Sequence, residues 1–446
     1  MLSICPYFHV HQPHRIKRYR VFDIGNDSDY FNDESDTDLN NRRILEKVAK
    51  KSYLPTNRIL KELLDAHPKF RFALSFSGTV LEQFEMYAPE VLQSFQELIA
   101  TGRVEVLADT YHHSLAFFYS VPEFERQVAL HAEKIYELFN VRPRVFRNTE
   151  LSYTNTLAQW CEAHGYLGIL AEGWEPVLGW RSPNYVYQPV GCDTIKVLLK
   201  NYRLSDDVAF RFSEQSWAGW PLDADTFASW VHAHHGDGQT INLFMDYETF
   251  GEHQWEHSGI FEFLRCLPPA LLAHPETTFK TPTETILCYE SVGRIDVPHV
   301  LTWADTDRDL TAWVGNDIQK DAIARVYALE KEILATEDAA LIATWRRLQT
   351  SDHFYYMCTK WFNDGDVHAY FSPYESPYDA YIAFMNALSD LEWRVRDTVA
   401  VGETRKMKRT QVRESIASHI QRWSRKCCSG VHLAMRWVRK LQVLFK

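Results

Sequence analysis

The sequence predicts an α/β fold: a closed or nearly closed parallel barrel followed by a helical domain. Three observations point to it. Seven short apolar runs recur through the first 246 residues: "LSICPYFHV", "FRFALSFS", "RVEVLAD", "VFRNTE", "GILAEG", "TIKVLLKN" and "INLFMD". Helix-like segments such as 90–100 and 122–139 lie between many of them, and strand–helix alternation of this kind builds a parallel sheet. Polar residues stand where the runs stop, as barrels require when their chemistry sits at the C-terminal ends of strands.

Those strand-end residues are His11 after "YFHV", Ser77 after "ALSF", Glu150 after "VFRNT" and Asp246 after "NLFM". Residues 26–40, "NDSDYFNDESDTDLN", form a polar, acidic loop and a candidate lid. From about Asp305 the pattern changes to helical spacing, in "DLTAWVGNDIQKDAIARVYALEKEIL", "DAALIATWRRLQTSDHFYYMC" and "SPYDAYIAFMNALSDLEWRV". The expected division is a barrel over 1–300, a helical domain over 301–397 and a basic amphipathic tail over 398–446.

Composition bounds the function. With 446 residues, 46% of them hydrophobic, the chain can bury a large core. Its 14 Trp, 22 Tyr and 26 Phe suit a large aromatic core, or a cleft that stacks sugar rings. A net charge of −11 argues against a general nucleic-acid binder. Residues 401–446 nevertheless hold 12 Lys/Arg against 2 acids, which leaves the remainder strongly acidic. This tail is expected to lie on an anionic membrane surface, dock on a protein, or close against the acidic body. The eight cysteines are scattered without a C-x-x-C pair, no apolar run reaches transmembrane length, and no secretory h-region opens the chain. A cytoplasmic, reducing compartment is expected.

Several constellations carry chemistry. His9 and His11 lie two apart on a strand and share a face, which suits hydrogen bonding to sugar hydroxyls first, then a core histidine pair, then metal binding. His112 and His113 follow the run "GRVEVLAD", with one of them placed to face the cleft. Glu150 and Asp246, at the tips of two strands, form the pair that glycoside hydrolysis needs: one carboxylate to attack or activate water, one to protonate the leaving oxygen. Glu248 would share the Asp246 face if the strand continued, whereas Glu252 and His253 read as scaffold for the "FGEH" turn, where Gly251 permits an unusual backbone angle.

Taken together, "YFHVHQP", "GRVEVLADTYHHSL", "VFRNTELSY", "LFMDYETFGEHQ" and "WADTDRDLTAWVGN" resemble, in order, the five signature regions of glycoside hydrolase family 57, most closely its α-amylase and α-amylase-like group. The resemblance covers roughly residues 1–397. It implies an incomplete (β/α)7 barrel followed by a helical bundle, and a retaining mechanism on α-glucans without a required metal or organic cofactor. It implies Glu150 as nucleophile and Asp246 as general acid/base. His11, His113, Trp303 and Asp305 match substrate-side positions, and His9 and Glu248 join them as candidate substrate contacts. His9 stands where Gln is common, His112 where Tyr is common and Thr311 where Ser is common, which leaves substrate detail open. The rival readings are a 4-α-glucanotransferase or branching enzyme of the same family, a metal-dependent barrel hydrolase or deacetylase, and a non-catalytic glucan-binding protein.

Overall fold

The computed structural model describes residues 1–34 and 38–426. All seven predicted strands form. In chain order the strands are β1 (Leu2–Val10), β2 (Phe72–Phe76), β3 (Val104–Val106), β4 (Val145–Phe146), β5 (Gly168–Glu172), β6 (Gln188–Pro189), β7 (Lys196–Lys200), β8 (Thr240–Asp246), β9 (Thr277–Phe279) and β10 (Arg294–Ile295). The short β6, β9 and β10 lack a recognisable apolar run, and the sequence did not announce them.

Every ladder is parallel. One sheet runs β3-β2-β1-β8, with β9 also on β1, and a second runs β4-β5-β7; β6 pairs with β10. A parallel bridge between Ala108 and Phe146 joins the two larger sheets on one side. On the other, the Asn201 N–H donates to the Asn242 carbonyl at 2.9 Å. β1, β2 and β5 are buried along their whole length, because helices cover one face and strand side chains fill the other. One apolar cluster takes Tyr7, Ala73, Leu107, Val145, Leu170, Leu198 and Phe244, a residue in or just beyond each of the seven long runs. These side chains, drawn from both larger sheets, pack together in one cluster, and the polar tips lie at one end of the strands.

Helices cross between strands as the alternation requires. Those at Gly78–Tyr87 and Pro89–Ile99 link β2 to β3, and Val121–Phe139 links β3 to β4. Ser120 caps the last by accepting from the Glu123 N–H, and Asn140 ends it in the left-handed region at φ 54°. From Thr311 to Lys426 the described residues are mainly helical, and one helix runs from Pro377 to Lys426 without a break at residue 397. Trp313, Trp345, Leu388 and Leu391 form their shared core, and Ile16, Tyr30 and Leu115 from the strand-bearing part enter it. The acidic loop is tied into that core: Tyr30 is 1% exposed and its hydroxyl bonds Asp390 Oδ2 at 2.5 Å. The amphipathic stretch 431–441 with Cys427 and Cys428 lies outside the described residues. Among the described residues no helix is long and apolar enough to cross a membrane.

The "FGEH" turn is scaffold. Gly251 sits at φ +106°, and a Cβ there would lie 2.0 Å from the Lys51 carbonyl oxygen. Glu252 accepts from Lys47 at 2.8 Å and faces Lys51 at 3.6 Å, closing the turn onto the same helix. Gly251→Ala therefore forces both a strained backbone and a backbone clash. It should cost about 2–4 kcal/mol, read as a lower denaturation midpoint; an unchanged midpoint would refute the close approach.

Candidate active site

Glu150 is held in a strained, over-determined position. It follows β4 in a single turn and adopts φ 57°, ψ 30°, a left-handed conformation that a glutamate rarely takes. Its carboxylate is fixed from both sides. His113 Nε2 lies 2.7 Å from Oε1, and the Trp303 indole N–H donates to Oε2 at 2.8 Å. The Trp303 backbone N–H donates to the Glu150 carbonyl at 3.2 Å. His113 is buried, which pushes its pKa down to about 4, so it is neutral and must carry its proton on Nε2 to meet an ionised Glu150. Burial disfavours the Glu150 charge, but His113, the Arg147 cation and Trp303 outweigh it and hold the group below the usual carboxylate range.

Asp246, the last residue of β8, behaves oppositely. Burial, then the nearby Glu150 charge, push its pKa up to about 7, against the pull of Arg147 and Lys200. Two carboxyl groups in one field thus take opposite protonation states near neutrality. Glu248 does not continue the strand. β8 stops at Asp246 and residues 247–249 form a turn, which buries Glu248 and hands its Oε1 to the Tyr53 hydroxyl. Burial and the Asp246 charge raise it to about 8. The expected shared strand face is therefore absent, because the backbone turns one residue too early, although the two charges still sense each other.

Three imidazoles stand beside this pair. The His11 ring stacks on His113 with centroids 4.0 Å apart, and His9 stacks on His113 at 5.0 Å. His11 Nδ1 bonds Ser77 Oγ at 2.6 Å and its Nε2 bonds Asp352 Oδ2 at 3.0 Å. His9 is buried and bonds Ser75 Oγ at 2.8 Å. Among the described residues these rings could hold a metal ion, with one nitrogen from each within 4.8 Å of the others. The third imidazole, His113, was not predictable from H-x-H spacing. Both His11 nitrogens are already bonded, to Ser77 and Asp352, whereas His9 Nε2 and His113 Nδ1 have no hydrogen-bond partner among the described residues.

Below Trp303 lies a compact set of charges. The Arg147 and Lys200 cations sit 5.2 and 5.6 Å from its ring centroid. Arg147 is fully buried and bonds Asp109 at 3.2 Å, so its ion pair is with Asp109 rather than Glu150. Burial raises Asp109 to about 6 in spite of that pairing. Lys200 bonds Asp206 at 2.8 Å, and Arg308 reaches Glu172 at 3.2 Å and the Trp303 carbonyl. Asp305 is occupied elsewhere, by Lys360 at 2.8 Å and His368 at 3.1 Å.

The whole arrangement has the elements of a glycosidase centre, and comparison with known proteins settles the family. The model of glycosyl hydrolase family 57 matches residues 7–298. The chain belongs to that family. A Methanocaldococcus jannaschii protein provisionally named an alpha-amylase is 40% identical over 407 residues, 89% of this chain and 85% of the relative. The fold is similar to a family 57 branching enzyme of Pyrococcus horikoshii (TM-score 0.60, 13% identity, 83% of this chain and 87% of that one). It is also similar to an alpha-amylase of Thermotoga maritima (0.53, 13%, 89% and 97%). A 4-alpha-glucanotransferase of Thermococcus litoralis matches at 0.58 and 15% identity over 79% of this chain, which spans 56% of that protein.

In this family 57 chain the structure gathers Glu150, Asp246, His9, His11, His113 and Trp303 at one end of the strands. It sets Glu248 behind them and Asp305 in a separate ion-pair cluster. Of the two adjacent histidines, His113 meets Glu150 and His112 is buried beside Tyr111. Asp352, Asp109, Lys200 and Arg308 were not singled out in the sequence. Asp352 lies in the helix Ser351–Tyr355, far along the chain, and only the fold brings it to His11. The electrostatics make a stability prediction. Because the folded-state pKa of Asp246 is raised, its ionisation costs stability as pH rises from about 4 to about 7. Asp246→Asn should unfold at a higher temperature than the natural protein at pH 8, and the difference should vanish at pH 4; equal midpoints at both would contradict the like-charge burial.

Proposed function

We propose that this chain is a retaining α-glucan hydrolase of the α-amylase type, built on an incomplete (β/α)7 barrel over residues 1–300 with a helical domain over 301–397 that contributes to the cleft. The observation that carries the reading is the split between two neighbouring carboxyl groups, one held ionised and one held protonated near neutral pH. Glu150 attacks the anomeric carbon. Asp246 protonates the departing glycosidic oxygen, and the covalent glycosyl-enzyme forms. Once Glu150 is esterified its charge is gone, the pKa of Asp246 falls, and the same group takes the proton from incoming water. Retention calls for carboxyl groups about 5–5.5 Å apart.

The remaining side chains orient and tune. His113 and Trp303 hold the Glu150 oxygens so that one lone pair faces the sugar, and both hydrogen bonds weaken as the carboxylate charge is lost to the ester. His11, with its two nitrogens bonded to Ser77 and Asp352, lines the substrate side with its ring and braces His113 against Glu150. His9 supports that stack from beneath. Glu248 acts through Asp246, keeping its proton in place, while Asp305 ties Lys360 and the helix after it to the cleft wall.

Transfer to a second glucan in place of water remains the closest rival, and the two differ in their products. Time-resolved analysis on defined maltooligosaccharides should show only chains shorter than the substrate, with reducing ends growing in step. Chains longer than the substrate would assign a transferase. Glu150→Gln should lose about 10³-fold or more in rate, and a variant keeping most of it would overturn the nucleophile assignment. In the natural enzyme, kcat/KM should rise at a pH below the usual carboxylate range as Glu150 ionises and fall through about pH 7 as Asp246 loses its proton.

A further inference from the structure

A second concave surface lies next to the catalytic end. It has a volume of about 550 Å³ and is lined by Tyr202, Arg203, Asp207, Arg211, Trp217 and Trp230, among others. That is within the size range of small-molecule clefts, about 300–1,000 Å³. Three half-buried aromatic side chains line the groove, and the polar side chains between them offer donors and acceptors. The loop that carries Trp217 adds Trp220, which is 44% exposed.

The charges in this groove cancel locally. Arg203 is paired with Glu175, and Arg211 with Asp207 at 2.6 Å. Arg211 also lies 5.7 Å from the Trp217 ring centroid. Neither guanidinium is left as an uncompensated cation for an anion such as a phosphate. Paired carboxylate and guanidinium groups beside aromatic faces suit a neutral polyhydroxylated ligand, which stacks its apolar ring face and shares its hydroxyls between donor and acceptor.

The groove connects physically to the catalytic centre. Tyr202 follows directly on β7, two residues after Lys200. Arg308 lies 5.7 Å from the centroid of the Tyr202 ring, and the same Arg308 bonds the carbonyl of Trp303, whose indole holds Glu150. A ligand on the Tyr202 wall is thus separated from the nucleophile's tryptophan by one side chain.

We infer that the groove between Tyr202, Trp217 and Trp230 is a distal binding site for a segment of α-glucan chain, which anchors long substrates outside the residues that perform the cleavage. The inference rests on the glucan reading of the catalytic site. It predicts a dependence on chain length: a short oligosaccharide fills the catalytic cleft alone, and a long chain also engages the groove.

The test uses the full-length protein and two variants, Trp217→Ala and Tyr202→Ala. Trp217 packs partly against the main core, so Tyr202→Ala serves as the control for folding. Each is assayed on amylose and on maltotriose. The ratio of kcat/KM for amylose to that for maltotriose should fall about tenfold in both, the size of one lost aromatic stack. A ratio unchanged in both variants overturns the groove. Binding of maltoheptaose to full-length Glu150→Gln protein, followed by calorimetry with and without Trp217→Ala, separates this from failure of the glucan reading. Weaker binding with Trp217→Ala supports the groove even if the natural enzyme turns over no glucan. Equal binding in the two proteins refutes it even if the natural enzyme degrades amylose.

Discussion

The site depends on a guanidinium sealed away from water. Arg147 has no exposed surface, and among the described residues its one ion-pair partner is Asp109, itself fully buried. Two of its nitrogens, Nε and Nη2, make no hydrogen bond. Burying a cation so incompletely paired is costly, and a core of apolar residues would be more stable. Its field explains why the arrangement holds. Arg147 favours the ionised forms of Asp109, Glu150 and Asp246 and disfavours protonation of His9 and His113. Without it, three acids would share a low-dielectric space with neutral imidazoles, and Glu150 would lose part of what keeps it charged. Stability is given up at this point for a fixed electrostatic pattern, as is common where chemistry is done.

The second constraint is covalent distance. The strands deliver Glu150, Asp246, His9 and His11, but the groups that hold them come from far along the chain. Asp352 reaches His11 across 341 residues and Trp303 reaches Glu150 across 153. The backbone joins the two parts at the same place: Ser114 bridges to Thr350, and the Ser351 N–H donates to the His113 carbonyl at 2.9 Å. Displacing the helical segment would therefore remove the Asp352 partner of His11 and the backbone contact to His113.

This division also explains what could be read in advance. The seven long strands were legible because each is buried on both faces and so is written as an unbroken apolar run. Glu150 and Asp246 stood out as candidates because each is an acid at the end of such a run, although Asp109 and Glu172 also end runs and are taken up by ion pairs. Glu248 was misread in one respect: nothing in "MDYETF" marks the turn that ends β8 at Asp246, so two-residue alternation was carried one step too far. Arg147 was visible as a neighbour of Glu150, yet its true partner, Asp109, lies just past the end of the preceding strand and follows from tertiary structure alone. Asp352, Lys200 and Arg308 sit in ordinary polar contexts, and local spacing holds no signal for contacts made across hundreds of residues.

In the proposed mechanism a Glu150 oxygen forms the bond to the anomeric carbon and Asp246 gives the proton to the leaving oxygen. It is tested most directly by trapping the glycosyl-enzyme with a fluorinated α-glucosyl fluoride, which forms the ester quickly and hydrolyses it slowly, and mapping the modified peptide by mass spectrometry. The account predicts one glycosyl group per chain, carried by the peptide containing Glu150, and none in Glu150→Gln. Modification of Asp246 or another carboxylate, or turnover of the reagent with no covalent species at any time, would contradict it.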